Sequence, residues 1–351
     1  MIVCGEHLSR SPALDTVAGA LGRTPFVYPG SRPHTPAETV NAGAAAARDV
    51  QADAFIALGG SSAIDCAKGI AVLVATRTDD VADLAPLDFG RLMETAQPPA
   101  DRAFPILTIT TTLSFAEFLP FWGARHASIG RKLPYADRGA VVRTIFLDGE
   151  IATHTPDQLW VETGIKALDD AASAFCRASR PEPFLDPVLT EAIATLDACL
   201  PRSSETGQAD IRQQALTATW MTKLSLPRFS RPATPAWFST SARHALGGVY
   251  ELPHGVGSCV ALGPGLRYHA DATRPRQEEL RRALDWPAAE KGDAPLGPGI
   301  SALLGKLGVP VSLTRVGVDA ARLDEVATNI LAEAPSLGSW ERVRAACNAM
   351  V

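Results

Sequence analysis

The strongest constraint on the fold is a change of rhythm near residue 150. Before it, short continuous apolar runs alternate with segments of helical spacing: MIVCG, ALDTVAGALG, PFVYPG, AETVNAGAAAARDV, AFIALGG and SAIDCAKGIAVLVAT follow one another through the first 76 residues. This alternation predicts parallel βαβ units. FPILTITTT (Phe104 to Thr112) and TIFLDGE (Thr144 to Glu150) read as further strands. Because the apolar runs are continuous, the strands are expected to be covered on both faces. From Thr155 onward the spacing is helical in PDQLWVETGIKALDDAASAFCRAS, PVLTEAIATLDACL, ADIRQQALTATWMTKLSL and ARLDEVATNILAEA. The 351 residues are therefore expected to form an α/β Rossmann-like nucleotide-binding domain over 1–150 and an all-α domain over 151–351.

Composition excludes several function classes. The 33 basic and 38 acidic residues give a formal charge of −5, and no basic run is interleaved with aromatics, so a nucleic-acid groove is not expected. No window approaches the ~20 apolar residues of a membrane span, and the amino-terminal MIVCGEHLSR lacks a basic region followed by a long apolar stretch. The expected protein is cytoplasmic, with no nucleic-acid or membrane partner. Six cysteines, Cys4, Cys66, Cys176, Cys199, Cys259 and Cys347, lie far apart without a CxxC pair and are read as reduced and mostly buried.

AFIALGGSSAIDCAKGIAV (Ala54 to Val72) combines an apolar strand, a Gly-Gly-Ser-Ser turn and a helix carrying Asp65 and Lys68. Glycines let the backbone approach a phosphate, serine hydroxyls add donors, and a helix start offers free N–H groups and a positive dipole end. An ordinary strand-to-helix turn would read the same. In ILTITTTLSFAE the apolar strand ends in polar positions that include Thr110, Thr111 and Thr112. Hydroxyls at the carboxyl end of a parallel strand face the crevice where ligands bind in open α/β sheets, although threonine is also simply a good strand residue.

Several stretches together resemble the iron-containing (group III) alcohol dehydrogenase superfamily, which includes maleylacetate reductases and, more distantly, dehydroquinate synthase. They are RPHTPAETV, ALGGSSAIDCAK, TTTLSFAEFLPFWG, RTIFLDGEIATHTP, GIKALDDAASAF, HALGGVYELPHG and LGVPVSLTRVGV, in family order over most of the chain. HTP and the length of TTTLSFAE resemble the maleylacetate reductase branch. The resemblance implies a dehydroquinate synthase-like fold with its active site in the cleft between the domains, and a homodimer. It also implies that Gly59, Gly60, Ser61 and Ser62 lie at the cofactor pyrophosphate, with Asp65 on the following helix and Thr110, Thr111 and Thr112 beside the cofactor. Ser61 stands where the family has a third glycine.

Metal-dependent relatives carry an Asp and a His four apart in a motif like GxDALxHAxE, and further histidines in HxxxHxLGxxxxxPHG. Here those positions hold Lys166, Asp170, Thr240 and His254, so three of the four ligands are replaced. A lysine ammonium is no ligand because its lone pair carries a proton, and a metal-free site is expected. Lys166 and Asp170 share one helix face as an ion pair. The ammonium can take the place of the cation and polarise a carbonyl oxygen, while a plain surface ion pair has the same spacing. His244, which precedes LGG, suits acid/base work, and His254 suits a second proton donor or a hydrogen-bond partner of the substrate. Both would look the same as polar residues at helix ends. Arg243 is a candidate for gripping a substrate carboxylate, and Thr240 is placed beside the substrate by its motif position.

The family usually has an FGxG-like strand before the position that MIVCG matches. NAD-preferring relatives place an Asp after the first strand, whereas MIVCG ends in Gly5. Either nicotinamide cofactor is then accommodated, with NADP slightly favoured over NAD. The leading expectation is a metal-independent, NAD(P)H-dependent reductase acting on a carbonyl, enone or imine of a small, acidic metabolite in specialised metabolism. Arg125, Arg131 and Lys132 in GARHASIGRK would bind such an anion or form a solvated basic loop. The alternative is a non-redox cyclase, lyase or isomerase with Lys166 and His244 as base, acid or Schiff-base residues.

Overall fold

A computed structural model describes residues 1–87, 104–225 and 236–351. They form two compact units, Met1–Thr155 and Pro156–Val351.

The first unit is built on a parallel five-stranded sheet. Its strands are β1 (Ile2–Gly5), β2 (Val27–Ser31), β3 (Phe55–Gly59), β4 (Ile106–Thr110) and β7 (Thr144–Leu147), ordered β2-β1-β3-β4-β7. The helices are α1 (Pro12–Ala20), α2 (Ala37–Asp49), α3 (Ser61–Thr76) and the short α4 (Gly149–Ala152). The continuous apolar runs divide between two cores. Val3, Phe55 and Ala57 pack with residues of α2 and α3, among them Val40, Ala44, Ile64 and Ile70. On the opposite face Ile2, Cys4 and Leu58 pack with Ala13 and Val17 of α1 and Ile151 of α4. Alternate residues of one strand thus serve different faces, which is why no polar position interrupts them.

Two local features depart from the sequence reading. Gly60 is the N-cap of α3, so Ser61 and Ser62 belong to the first helical turn and not to a four-residue turn. The stretch read as a basic loop forms an antiparallel hairpin, β5 (Phe121–His126) and β6 (Arg131–Ala136), closed through Gly130 at φ +61°. Its alternation is hidden because Gly123 and Pro134 face each other in the middle of the ladder.

The second unit is helical. Its central rod, α5 (Asp157–Cys176), is buried without interruption from Glu162 to Cys176. Alanines at 167, 171, 172 and 174 let neighbouring helices approach closely. It packs against α6 (Leu185–Cys199), α7 (Gln208–Lys223) and α9 (His254–Tyr268). Leu226, the last residue of the periodic stretch that gives α7, lies outside the described residues. A separate apolar core joins α8 (Phe238–Tyr250), α9, α12 (Leu323–Glu333) and α13 (Trp340–Cys347) through Phe238, Leu246, Val260, Val326 and Val343. Helices α10 (Ala270–Ala283) and α11 (Gly297–Leu307) complete the unit. All six cysteines are buried and unbridged. No helix among the described residues is long and apolar enough to cross a membrane.

Candidate active site

In the first unit the strand order reverses direction between β1 and β3, and the carboxyl ends of these strands carry the polar features. Gly59 ends β3 at φ +143°, a backbone conformation that a side chain would strain. Its carbonyl accepts the Thr111 N–H at 3.2 Å, which ties β3 to the end of β4. A Cβ on Gly60 would come within 2.8 Å of the Thr112 side chain, so only glycine fits there. Helix α3 then starts without a side-chain cap on its first turn.

The threonines at this edge are buried and locally bonded. Thr110 Oγ1 donates to the Thr112 carbonyl at 3.3 Å, and Thr112 Oγ1 and Ser114 Oγ lie 2.9 Å apart. Asp65 turns toward the hairpin, where Oδ2 accepts the Gly123 N–H at 3.3 Å and pairs with Lys132 at 2.9 Å. Lys68 is fully buried and donates to the carbonyls of Ala116, Leu119 and Phe121. Burial lowers its pKa to about 8. The two charges of α3 therefore hold the hairpin region against the sheet. Beside β1, Glu6, His7, Arg10, Ser11, Pro12 and His154 line a cavity of about 500 Å³, with Arg10 Nη2 2.7 Å from Glu6 Oε1.

The second unit contains a buried ionic cluster on α5. Lys166 Nζ lies 3.2 Å from Asp170 Oδ2, one turn away, and both residues are less than 10% exposed. Arg243 of α8 spans two neighbouring carboxylates. Its Nη2 donates to Asp170 Oδ1 at 2.6 Å, and Nη1 donates to Asp169 Oδ2 at 3.3 Å. Ser239 and Ser258 donate to Asp169 at 2.6 and 3.0 Å, and Lys223 of α7 approaches Asp170 Oδ2 at 3.8 Å. Burial lowers the Lys166 pKa to about 8 against the pull of Asp170. Burial alone would raise Asp170, but Arg243, Lys166 and Lys223 outweigh it and hold the carboxyl well below its ordinary range. Asp169 moves the other way, because burial outweighs the pull of Arg243.

His244 follows Arg243 on α8 and points outward. Its Nδ1 lies 3.1 Å from Glu333 Oε1, and its ring centroid is 5.3 Å from that of His254, the first residue of α9. Thr240, one turn earlier on α8, is partly exposed. The structure thus brings Lys166, Asp170 and Arg243 into one buried group and His244 and His254 into one exposed pair. Sequence reasoning missed Asp169, Lys223, Ser239, Ser258 and Glu333. Only Asp169 had a visible signal, as the first of two adjacent aspartates.

Helix α8 is anchored by another residue that spacing did not single out. His269 Nε2 accepts the Phe238 N–H at 3.0 Å, and its ring stacks on Trp237 with centroids 4.1 Å apart. Burial, with Arg177 and Arg342 nearby, lowers its pKa to about 3. The folded form thus resists a proton that the unfolded chain accepts, so stability falls as pH drops below the ordinary histidine value and toward 3. Denaturant titrations are expected to lose about 2 kcal/mol between pH 7 and pH 5 from this group. In His269→Gln, which keeps an acceptor without the titration, that part of the slope is expected to vanish.

Residues 1–149 match the family described as iron-containing alcohol dehydrogenase, and residues 160–345 match the carboxyl-terminal part of the Fe-containing alcohol dehydrogenase family. The chain is 28% identical over 363 residues to the dehydrogenase FUM7 of Gibberella moniliformis, with 94% of this chain and 84% of that protein covered. It is 25% identical over 280 residues to a maleylacetate reductase of Sphingobium indicum, with 79% and 69% covered. A sulfoacetaldehyde reductase of Bifidobacterium kashiwanohense, solved in complex with NAD+, has the same fold at TM-score 0.81 and 20% identity, with 99% of this chain and 90% of that chain covered.

Proposed function

Because this chain belongs to the iron-containing alcohol dehydrogenase family and is an oxidoreductase, we propose that it uses NAD(P)H, without a metal ion, to reduce a carbonyl, enone or imine carbon of a small acidic metabolite. The observation that carries this reading is the buried Lys166–Asp170 pair, at the two α5 positions where metal-dependent relatives have an Asp and a His. The donors at the four positions do not fit a divalent metal. Lys166 is an ammonium, Asp170 Oδ1 faces Arg243, and Asp170 Oδ2 faces Lys166 and Lys223. A neutral threonine hydroxyl adds little, which leaves His254 where about three ligands are needed.

An ammonium held in a dry interior stabilises negative charge that develops on a substrate oxygen. The proton that completes the reduction is assigned to His244, which stands on the exposed face of α8 and not in the Lys166 cluster. The likeness to maleylacetate reductases favours an acidic substrate. A Schiff base at Lys166 is less favoured, since an amine with a pKa of about 8 in contact with a carboxylate is mostly protonated at neutral pH.

The turn at Gly59 and Gly60 and the uncapped start of α3 suit a pyrophosphate, and the cavity that follows β1 is the candidate place for the adenosine ribose. When bound, the dinucleotide supplies the hydride. Arg10, paired with Glu6 at 2.7 Å, is the guanidinium in this cavity that the 2′-phosphate of NADP would engage. Arg10→Ala is expected to raise the KM for NADPH on the order of tenfold, as for loss of one charge-assisted hydrogen bond, and to leave the KM for NADH nearly unchanged.

The reading is tested with protein grown in iron- and zinc-supplemented medium and assayed for NADPH oxidation, with maleylacetate as the first acceptor. Turnover by protein that retains no stoichiometric metal is the expected result. Metal bound one to one, with activity lost on chelation, would overturn it.

A further inference from the structure

The contact between His244 and Glu333 has no explanation in stability. Glu333 is the last residue of α12, where the negative end of the helix dipole disfavours a carboxylate. The two side chains are 40% and 45% exposed, so their attraction is screened by water and adds little to folding. Yet the carboxylate is directed at one particular ring nitrogen, Nδ1, at 3.1 Å.

We infer that Glu333 is a positioning residue that fixes the tautomer and ring orientation of His244. An ionised carboxylate can only accept, so the Nδ1 facing it must carry the proton. The neutral ring then has its lone pair on Nε2, and it is the imidazolium that delivers its Nε2 proton to the reacting group and returns to this Nδ1–H form. His254, 5.3 Å away between ring centroids, borders the same imidazole. Without a carboxylate on Nδ1, His244 is free to adopt either tautomer and to turn its other nitrogen outward. This role rests on the assignment of His244 as proton donor.

The test uses the full chain with 15N-labelled histidine, read by NMR for the tautomer of His244, together with NADPH-linked turnover on the acceptor named above. Wild type is expected to show Nδ1–H. Glu333→Ala is expected to lose that preference and to lower kcat by about tenfold to a hundredfold, with KM and melting temperature nearly unchanged. Glu333→Asp is expected to restore part of both signals. An Nε2–H tautomer in the wild type, or a tautomer unchanged in Glu333→Ala, overturns the inference. A tautomer that moves while kcat does not removes His244 from the reaction, so it is the donor assignment that fails.

Discussion

Replacing Arg243 by methionine is expected to destabilise the unit Pro156–Val351 by about 3–5 kcal/mol, the cost of removing one partner from a buried ion pair. The guanidinium is the only group that touches both Asp169 and Asp170 among the contacts described above, and it links α8 to α5. After its loss Asp170 keeps Lys166 and Lys223, whereas Asp169 keeps the hydroxyls of Ser239 and Ser258 and the more distant charges of Lys166 and Arg177. Asp169, already raised in the intact protein, would be raised further. A carboxyl whose folded pKa exceeds its unfolded one destabilises the fold above the folded pKa and relents as pH falls. The variant should therefore regain part of its stability between pH 7 and pH 5, against the general trend set by His269. Denaturant melts at the two pH values measure this. A loss below about 1 kcal/mol, the size of an ordinary surface pair, would show that the cluster does not depend on its guanidinium.

Lys166→Met is expected to lower kcat/KM by about 10²–10³-fold, the range found when one preorganised oxyanion donor is removed. The methionine fills a similar volume in a buried place, and Asp170 keeps Arg243 and Lys223, so the variant should fold. The intact enzyme has a matching pH signature. The ammonium is needed in its charged form and burial lowers its pKa to about 8, so activity should fall as pH rises through that value. In Lys166→Arg, which stays charged throughout, that alkaline limb should disappear. Steady-state profiles from pH 6 to 10 separate these outcomes. A wild-type rate that continues to rise above pH 9 would argue against a protonated amine in the reaction.

The fold class could be read from the chain because covered parallel strands leave continuous apolar runs and helices leave a 3.6-residue period, and both survive without knowledge of tertiary partners. The β5–β6 hairpin left no such trace. Its pairing depends on cross-strand neighbours such as Trp122 and Tyr135, whose stacked rings meet only after the chain turns at Gly130. Lys166 and Asp170 were visible because they lie on one helix. Lys223 and Glu333 reach the same clusters from helices far along the chain, and nothing in TWMTKL or ILAEA distinguishes them from solvated charges. Asp65 and Lys68 show the converse. Their place beside a glycine turn suggests phosphate chemistry, while their bonds go to Gly123, Lys132 and three backbone carbonyls.

Arg243 and His244 are consecutive, so the helix turns about 100° between the interior lock and the outward imidazole. The two are geared to a single rod. A one-residue insertion upstream in α8 would swing both out of mesh together, and no compensating change at either end alone could restore the other. Evolution of this rod is thereby confined to substitutions that keep its phase.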